Sequence, residues 1–104
     1  MRRNEVWLVN LDPTIGSEIR KTRPAVVVSP DELNEQLNTV IVVPLTTGRA
    51  YAFRVSTRIQ NKDGVAALDQ IRTIDKQRLI RRIALLDAHS AERLFAGLAE
   101  LFAP

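Results

Sequence analysis

The chain has 104 residues, a net charge of +3 at pH 7, and hydrophobic and charged fractions of 45% and 26%. These values are typical of one folded domain, residues 1–104, and exclude a disordered chain. Cysteine is absent and His89 is the one histidine. The sequence therefore excludes disulfides, Ser–His and Cys–His nucleophilic sites, and a His- or Cys-based metal centre. We expect no metal and no other cofactor.

Twelve of the fifteen cationic residues are arginine. A guanidinium binds phosphate or carboxylate through two parallel hydrogen bonds, so this composition favours a polyanionic partner. A GC-rich genome would raise the arginine content in the same way, and composition alone does not separate the two explanations. No run of residues approaches the ~20 apolar positions of a membrane span, and we expect a cytoplasmic protein.

The first half of the chain predicts three short strands, at Glu5–Asn10, Arg23–Ser29 and Thr39–Leu45. The second and third are apolar almost without alternation, as expected for strands covered on both faces. A short helix from Asp31 to about Leu37 is predicted between them, because acidic residues open its first turn.

A long polar loop, Asp12–Pro24, separates the first two predicted strands. Hairpin loops usually have about two to five residues, so this one is longer than a simple turn requires. It contains Gly16 together with hydroxyl, carboxylate and cationic side chains. Polar loops carried by rigid strands often hold binding and catalytic groups. We therefore expect this loop to contact a phosphate backbone.

The second half predicts further strands. Ala52–Thr57 alternates between apolar and polar residues, and a turn at 61–64 precedes a longer strand, Gly64–Ile74. One helical turn at Asp75–Leu79 then leads to a last strand, Ile80–Leu86.

A C-terminal amphipathic helix is predicted from Ala88 to about Phe102, with Asp87 capping its first turn. Its apolar residues fall on one face at helical spacing: Ala91, Leu94, Phe95, Leu98, Leu101 and Phe102. The predicted fold is mainly β: a small, strongly bent antiparallel barrel sealed by this helix.

Arginines, hydroxyls and scattered carboxylates suit one reaction in particular, the cleavage of RNA by its own 2′-hydroxyl. The substrate supplies the nucleophile, so the protein needs only a base, a donor for the departing 5′-oxygen and cations for the charge on phosphorus. Composition shows that the chain permits this reaction but does not show that it occurs.

Several segments resemble the MazF/PemK toxins, in matching order and over nearly the whole chain. They are Glu5–Val9, Leu11–Pro13, Gly16–Glu18, Thr22–Val28, Val43–Thr46, Asp69–Asp75 and the terminal amphipathic helix. The resemblance implies an SH3-like barrel of the CcdB/MazF/PemK-like toxin fold that forms a homodimer. It further implies a metal-independent, sequence-specific endoribonuclease that cuts single-stranded mRNA, leaves 2′,3′-cyclic phosphate and 5′-hydroxyl ends, and inhibits translation and growth. The implied partners are RNA and a cognate antitoxin with a flexible, acidic C-terminal segment. DNA would be contacted only through the antitoxin complex.

The resemblance assigns catalytic roles to Arg23, Thr46 and Glu18. An arginine is a poor base because it stays protonated, so we expect Arg23 to bind the phosphorane and Glu18 to act as the base. Plasmid-type members use a histidine, an arginine and an aspartate, which correspond here to Ser17, Ala67 and Asp69. Only Asp69 of that trio is present, and the choice between Glu18 and Asp69 as the base stays open.

Further RNA contacts are predicted for residues of the loops and strand ends: Ser17, Arg20, Lys21, Thr47, Arg49, Asp69, Gln70 and Arg72. Two alternative functions share the fold. One is a CcdB-type toxin that binds gyrase without nuclease activity, although that type ends in Trp-Gly-Ile and this chain ends Leu101-Phe102-Ala103-Pro104. The other is a non-catalytic RNA-binding barrel.

Overall fold

The computed structural model describes Met1–Pro104, and its framework is one antiparallel sheet. Its strands are β1 (Glu5–Asn10), β2 (Thr22–Val27), β3 (Thr39–Thr46), β4 (Arg54–Ile59), β5 (Lys62–Ala67), β6 (Arg72–Asp75) and β7 (Leu79–Leu85). The helices are α1 (Asp31–Gln36) and α2 (Ala88–Leu101), and single 3₁₀ turns lie at Leu68–Gln70 and Lys76–Arg78. The spatial order is β4-β5-β3-β2-β1-β7, with β6 also paired to β3. The mainly β fold with a C-terminal helix is therefore confirmed.

The sheet curls into a half-barrel, because β4 and β7 lie at its two ends and do not pair with each other. A side-chain hydrogen bond from Gln60 Nε2 to the carbonyl oxygen of Ile83, 3.0 Å long, spans the gap between them. The candidate site lies in this open side of the half-barrel.

Strands β2 and β3 have an apolar cluster on each face, which explains their continuous hydrophobic sequences. Val26 pairs with Val43, and both belong to the cluster that α2 covers with Leu94. The next pair along the ladder, Val27 and Val42, belongs to a second cluster on the other face. The prediction that these strands are covered on both sides is confirmed.

The predicted long strand Gly64–Ile74 is wrong. The chain leaves β5 at Ala67, passes through the 3₁₀ turn and resumes as β6. The reason is that the two strands pair with different parts of β3: β5 with Leu45 and Thr46, and β6 with Thr39–Val42. The chain has to step from one part to the other, and it buries Leu68 completely at that step.

The β4–β5 connection also differs from the sequence prediction. Ile59 pairs with Lys62, so the turn consists of Gln60 and Asn61 alone. Both have positive φ, 51° and 63°, as type I′ hairpin turns require. At the start of β4, Phe53 has φ 60° and lies outside the strand. The strand therefore begins at Arg54 and not at Ala52 as predicted.

Helix α2 starts as predicted, with Asp87 Oδ1 accepting a hydrogen bond from the backbone N–H of Ser90 at 2.7 Å. Ala91, Leu94 and Leu98 are buried against the sheet. Phe102 was expected on the same apolar face, but it follows the last helical turn and is 68% exposed. No helix is long and apolar enough to cross a membrane.

Candidate active site

Arg23 and Thr46 come from neighbouring strands and line the same cavity, which has a volume of about 360 Å³. The β2–β3 register pairs Ala25 with Pro44. Continued by two residues, the same antiparallel register places Arg23 opposite Thr46. Because directly opposed residues project to the same side of a sheet, the register makes Arg23 and Thr46 neighbours across the two strands.

This cavity occupies the gap between β4 and β7, the two ends of the sheet. Its lining includes the apolar residues Val6, Pro24 and Leu45, together with Ile59 from β4 and Ile83 from β7. Polar and charged residues line it as well. Such a combination of an apolar surface with a few polar groups is typical of ligand sites.

Arg23 is half-buried and available to an anion. Its Nε donates a hydrogen bond to the carbonyl oxygen of Arg20 at 3.1 Å. None of the four ion pairs of the protein includes Arg23, so the terminal nitrogens of its guanidinium have no carboxylate partner. Thr46 is the last residue of β3, is also half-buried, and makes no side-chain hydrogen bond within the protein.

Glu18 lines a different cavity, of about 380 Å³, together with Ser17, Gln70 and Arg72. Its Oε1 accepts a hydrogen bond from the backbone N–H of Ile15 at 2.6 Å. It forms no ion pair with the loop arginines. Glu18 thus lines a different cavity from Arg23 and Thr46, although sequence reasoning grouped all three. Pro44, two residues before Thr46 on β3, also lines the cavity of Glu18.

Asp69 also borders this second cavity, but both of its carboxylate oxygens bind Arg54. Arg54 Nε lies 2.6 Å from Oδ1, and Arg54 Nη2 lies 2.9 Å from Oδ2. These hydrogen bonds and the charge of Arg54 hold the pKa of Asp69 below its usual value, despite an opposing effect of burial. An ionised carboxylate held by a guanidinium is a weak base, which favours a structural role for Asp69.

Gln70 and Arg72 hold the long loop between β1 and β2. Gln70 Oε1 accepts a hydrogen bond from the N–H of Ile19 at 2.6 Å. Arg72 Nη1 donates to the carbonyl oxygen of Leu11 at 3.2 Å. Arg78, which sequence reasoning did not select, donates to the carbonyl oxygens on either side of Leu11. The segment around β6 thus fixes both ends of the loop.

The remaining predicted contacts are exposed. Thr47 borders the Arg23–Thr46 cavity and also a third cavity, of about 480 Å³, which includes Arg49. Ser17 borders the second cavity, whereas Arg20 and Lys21 border none of the three. The predicted site residues are therefore spread over three cavities. Arg23, Thr46 and Thr47 share the first, and Thr47 and Arg49 share the third. The second is shared by Ser17, Glu18, Asp69, Gln70 and Arg72.

Two cations that sequence reasoning missed, Lys62 and Arg81, line the cavity of Arg23 and Thr46. They lie far from Arg23 in the chain, at the start of β5 and on β7. Their sequence context gave no signal, because only the curl of the sheet brings these strands around the cavity. No group of three His, Cys, Asp or Glu side chains is arranged to hold a metal ion.

Comparison with known proteins identifies the class. The sequence profile of the PemK-like, MazF-like toxins of type II toxin–antitoxin systems matches residues 2–102, and the chain belongs to this family.

Individual relatives of the chain are named as MazF endoribonucleases. The chain is 39% identical to endoribonuclease MazF9 of Mycobacterium tuberculosis, over 94% of this chain and 92% of that protein. It is 38% identical to endoribonuclease MazF of Staphylococcus saprophyticus, over 83% and 78% of the two chains. Among solved structures, MazF from Deinococcus radiodurans superposes with a TM-score of 0.86 at 25% identity, covering 97% of this chain and 94% of that one. A mycobacterial endoribonuclease bound to its cognate antitoxin shares the fold, with a TM-score of 0.83 at 22% identity and coverage of 100% and 97%.

Proposed function

We propose that this single domain, residues 1–104, is an endoribonuclease toxin that cleaves single-stranded RNA at specific sequences. Membership of the toxin family and relatives named as endoribonucleases support the proposal. The observation that carries it is the cavity that Arg23 and Thr46 both line, since Arg23 has no carboxylate partner and Thr46 makes no side-chain hydrogen bond within the protein.

The proposed reaction uses the nucleophile of the substrate. The ribose 2′-hydroxyl loses its proton to a base and its oxygen attacks the adjacent phosphorus, while the bond from phosphorus to the 5′-oxygen breaks and that oxygen takes up a proton from water. The products are a 2′,3′-cyclic phosphate and a 5′-hydroxyl. Negative charge builds up on the phosphoryl oxygens during this step. Arg23 stays protonated throughout and stabilises that charge, while the Thr46 hydroxyl donates a hydrogen bond to a phosphoryl oxygen. This step requires no metal.

Glu18 is the proposed base for the 2′-hydroxyl. One of its oxygens holds the Ile15 N–H, which leaves Oε2 to accept a proton. Asp69 is the weaker candidate because Arg54 occupies both of its oxygens. Glu18 can act as the base only if the ribose of the substrate extends from the Arg23 cavity towards the loop between β1 and β2. The Glu18→Gln variant tests this.

The family and its solved complexes support two protein partners, a second copy of the chain and an antitoxin. An antitoxin with an acidic, flexible segment would compete with RNA for the same cations. We also propose that the protein acts in the cytoplasm, where its proposed substrate, mRNA, is translated.

The test is cleavage of a long unstructured RNA in the presence of EDTA. We expect the wild type to cut at defined positions, and we expect Arg23→Ala to lose about 10²–10³-fold in rate, the usual effect of removing one transition-state donor. Thr46→Val removes the hydroxyl at constant size and should also lower the rate. Arg2→Ala is the matched control, because Arg2 pairs with Asp31 away from the three cavities.

Other outcomes separate the alternatives. Absence of cutting by the wild type at every salt concentration would refute the nuclease. RNA binding without cutting would indicate a binding barrel, and inhibition of gyrase by the wild type would indicate a CcdB-type toxin. An unchanged rate in Glu18→Gln would show that Glu18 only holds the loop.

A further inference from the structure

Most cationic side chains of this protein have an internal partner. Arg2, Arg54, Arg58 and Arg82 form ion pairs, and six others donate hydrogen bonds to backbone carbonyls. The five that form neither interaction are Arg20, Lys21, Arg49, Lys62 and Arg81. The side chains of these five make no hydrogen bond or ion pair within the protein and, like the terminal nitrogens of Arg23, are free to bind an external anion.

Three of these five free cations gather at two adjoining cavities. Lys62 and Arg81 line the cavity of Arg23 and Thr46, and Arg49 lines the third cavity. The two cavities share Thr47 and border each other along the β4–β5 hairpin. Free positive charge is thus concentrated on both sides of Thr46 and Thr47.

One anion, Asp63, borders both of these cavities, and its charge is already compensated. Asp63 Oδ1 lies 2.8 Å from Nη1 of Arg58, which lines neither cavity. The pair is exposed and therefore weak, but it offsets the carboxylate locally. The groove formed by the two cavities consequently has a positive excess.

We propose that Lys62 and Arg81 bind a phosphate next to the scissile one, so that the RNA strand crosses the gap between β4 and β7. This inference rests on the proposed function and adds the path of the substrate to it. Arg23 and Thr46 bind the phosphate that reacts. Lys62 and Arg81 hold its neighbour on one side, and Arg49 lies on the other side beyond Thr47.

The neighbouring residue Arg82 provides a matched control on the same strand. Successive residues of a strand point to opposite faces, and Arg82 turns away from the cavity to bind Glu5 Oε2 at 3.0 Å. Arg81 and Arg82 are both exposed, so neither substitution disturbs the core. Arg81→Gln and Arg82→Gln change the net charge equally, and Arg82→Gln also removes the ion pair with Glu5.

The experiment measures binding separately from cleavage. Single-stranded RNA with 2′-fluoro groups lacks the nucleophile, so its affinity can be measured by fluorescence anisotropy between about 50 and 200 mM salt. Each phosphate contact on single-stranded nucleic acid contributes about 0.7 to the slope of log K against log salt. We expect Arg81→Gln and Lys62→Gln each to weaken binding several-fold and to reduce the slope, and the double variant to reduce it by about 0.7, because the two cations bind one phosphate. Arg82→Gln should retain the slope of the wild type.

A cleavage assay on unmodified RNA completes the test. Contacts made equally in the ground and transition states change KM and leave kcat unchanged, so Arg81→Gln should raise KM several-fold at constant kcat. Identical slopes for Arg81→Gln and the wild type would overturn the inference. Equal losses in Arg81→Gln and Arg82→Gln would also overturn it, because they would show an effect of net charge alone. A wild type that binds but never cuts would instead refute the nuclease and leave the binding path intact.

Discussion

Replacement of Asp69 by asparagine removes the charge opposite Arg54 and keeps the size of the side chain. Asp69 accepts two hydrogen bonds from Arg54, at 2.6 and 2.9 Å. The Arg54 side chain is only 16% exposed and lies over the Tyr51 ring, 5.5 Å from its centroid. In Asp69→Asn the guanidinium would keep this position without its anion, and the new amide N–H₂ would face its donors.

The expected loss in the free energy of unfolding of Asp69→Asn lies between two known limits. Exposed ion pairs contribute about 0.2–1 kcal/mol, whereas removal of one partner of a buried pair costs about 3–5 kcal/mol. Asp69 is 46% exposed and therefore screened by solvent, while Arg54 is mostly buried. We estimate a loss of about 1–2 kcal/mol in the free energy of unfolding, or roughly 5–10 °C in Tm for a domain of this size.

The loss should depend on pH. Hydrogen bonds from Arg54 lower the pKa of Asp69 in the folded protein, so the pair stabilises the fold above the unfolded pKa of about 3.9. That contribution disappears as the pH falls through the lower pKa of the folded state. The difference in stability between wild type and Asp69→Asn should therefore be constant near pH 7 and shrink below about pH 4.

Thermal unfolding at several pH values and single-turnover cleavage at a temperature where both proteins are folded provide the measurements. If Asp69 is structural, Asp69→Asn loses stability but its cleavage rate stays within a few-fold of wild type. A general base would give a loss of about 10²–10⁴ in rate. Such a loss with unchanged stability would refute the structural role and make Asp69 the base in place of Glu18.

Two further substitutions test the packing and the loop. A Cβ atom on Gly97 would lie 2.4 Å from Cδ1 of the fully buried Leu68. Gly97→Ala should therefore lower the free energy of unfolding in urea by about 1 kcal/mol, even after the gain of about 1 kcal/mol in helix propensity. Equal or higher stability would show that Leu68 can move. Gln70→Ala removes the acceptor for the Ile19 N–H and should speed trypsin cleavage after Arg20 and Lys21, whereas Gln70→Glu keeps an acceptor and should not. Equal digestion rates for the wild type and both variants would mean that this hydrogen bond does not restrain the loop.

The parts of the fold that could be predicted from sequence are those in which neighbouring residues determine the structure. Continuous β-branched residues predicted β2 and β3, and Asp87 before an amphipathic pattern predicted the start of α2. The resemblance to known toxins selected Arg23 and Thr46, and the β2–β3 register explains why they meet. Each of these predictions depends on a local pattern or on two strands that are adjacent in the sheet.

The missed features depend on contacts between distant segments. The break at Leu68–Gln70 arises because β5 and β6 pair with different parts of β3, which no local pattern reveals. The position of Glu18 depends instead on a local hydrogen bond from the Ile15 N–H, and its role as the base stays a prediction. Arg81 has the sequence context of any exposed strand residue, and only the folded structure shows that it lines the cavity of Arg23.

The site lies where the two end strands of the sheet, β4 and β7, do not pair with each other. Paired strands lie about 4.8 Å apart, so a ladder between β4 and β7 would close the cavity that Arg23 and Thr46 line. An unpaired edge usually invites association with another chain, and exposed charged residues on the strand oppose it. Arg81 lies on such an edge, in β7. The same charge that binds a polyanion would therefore help to keep the cleft free of other strands, and Arg81→Val should both weaken RNA binding and increase self-association.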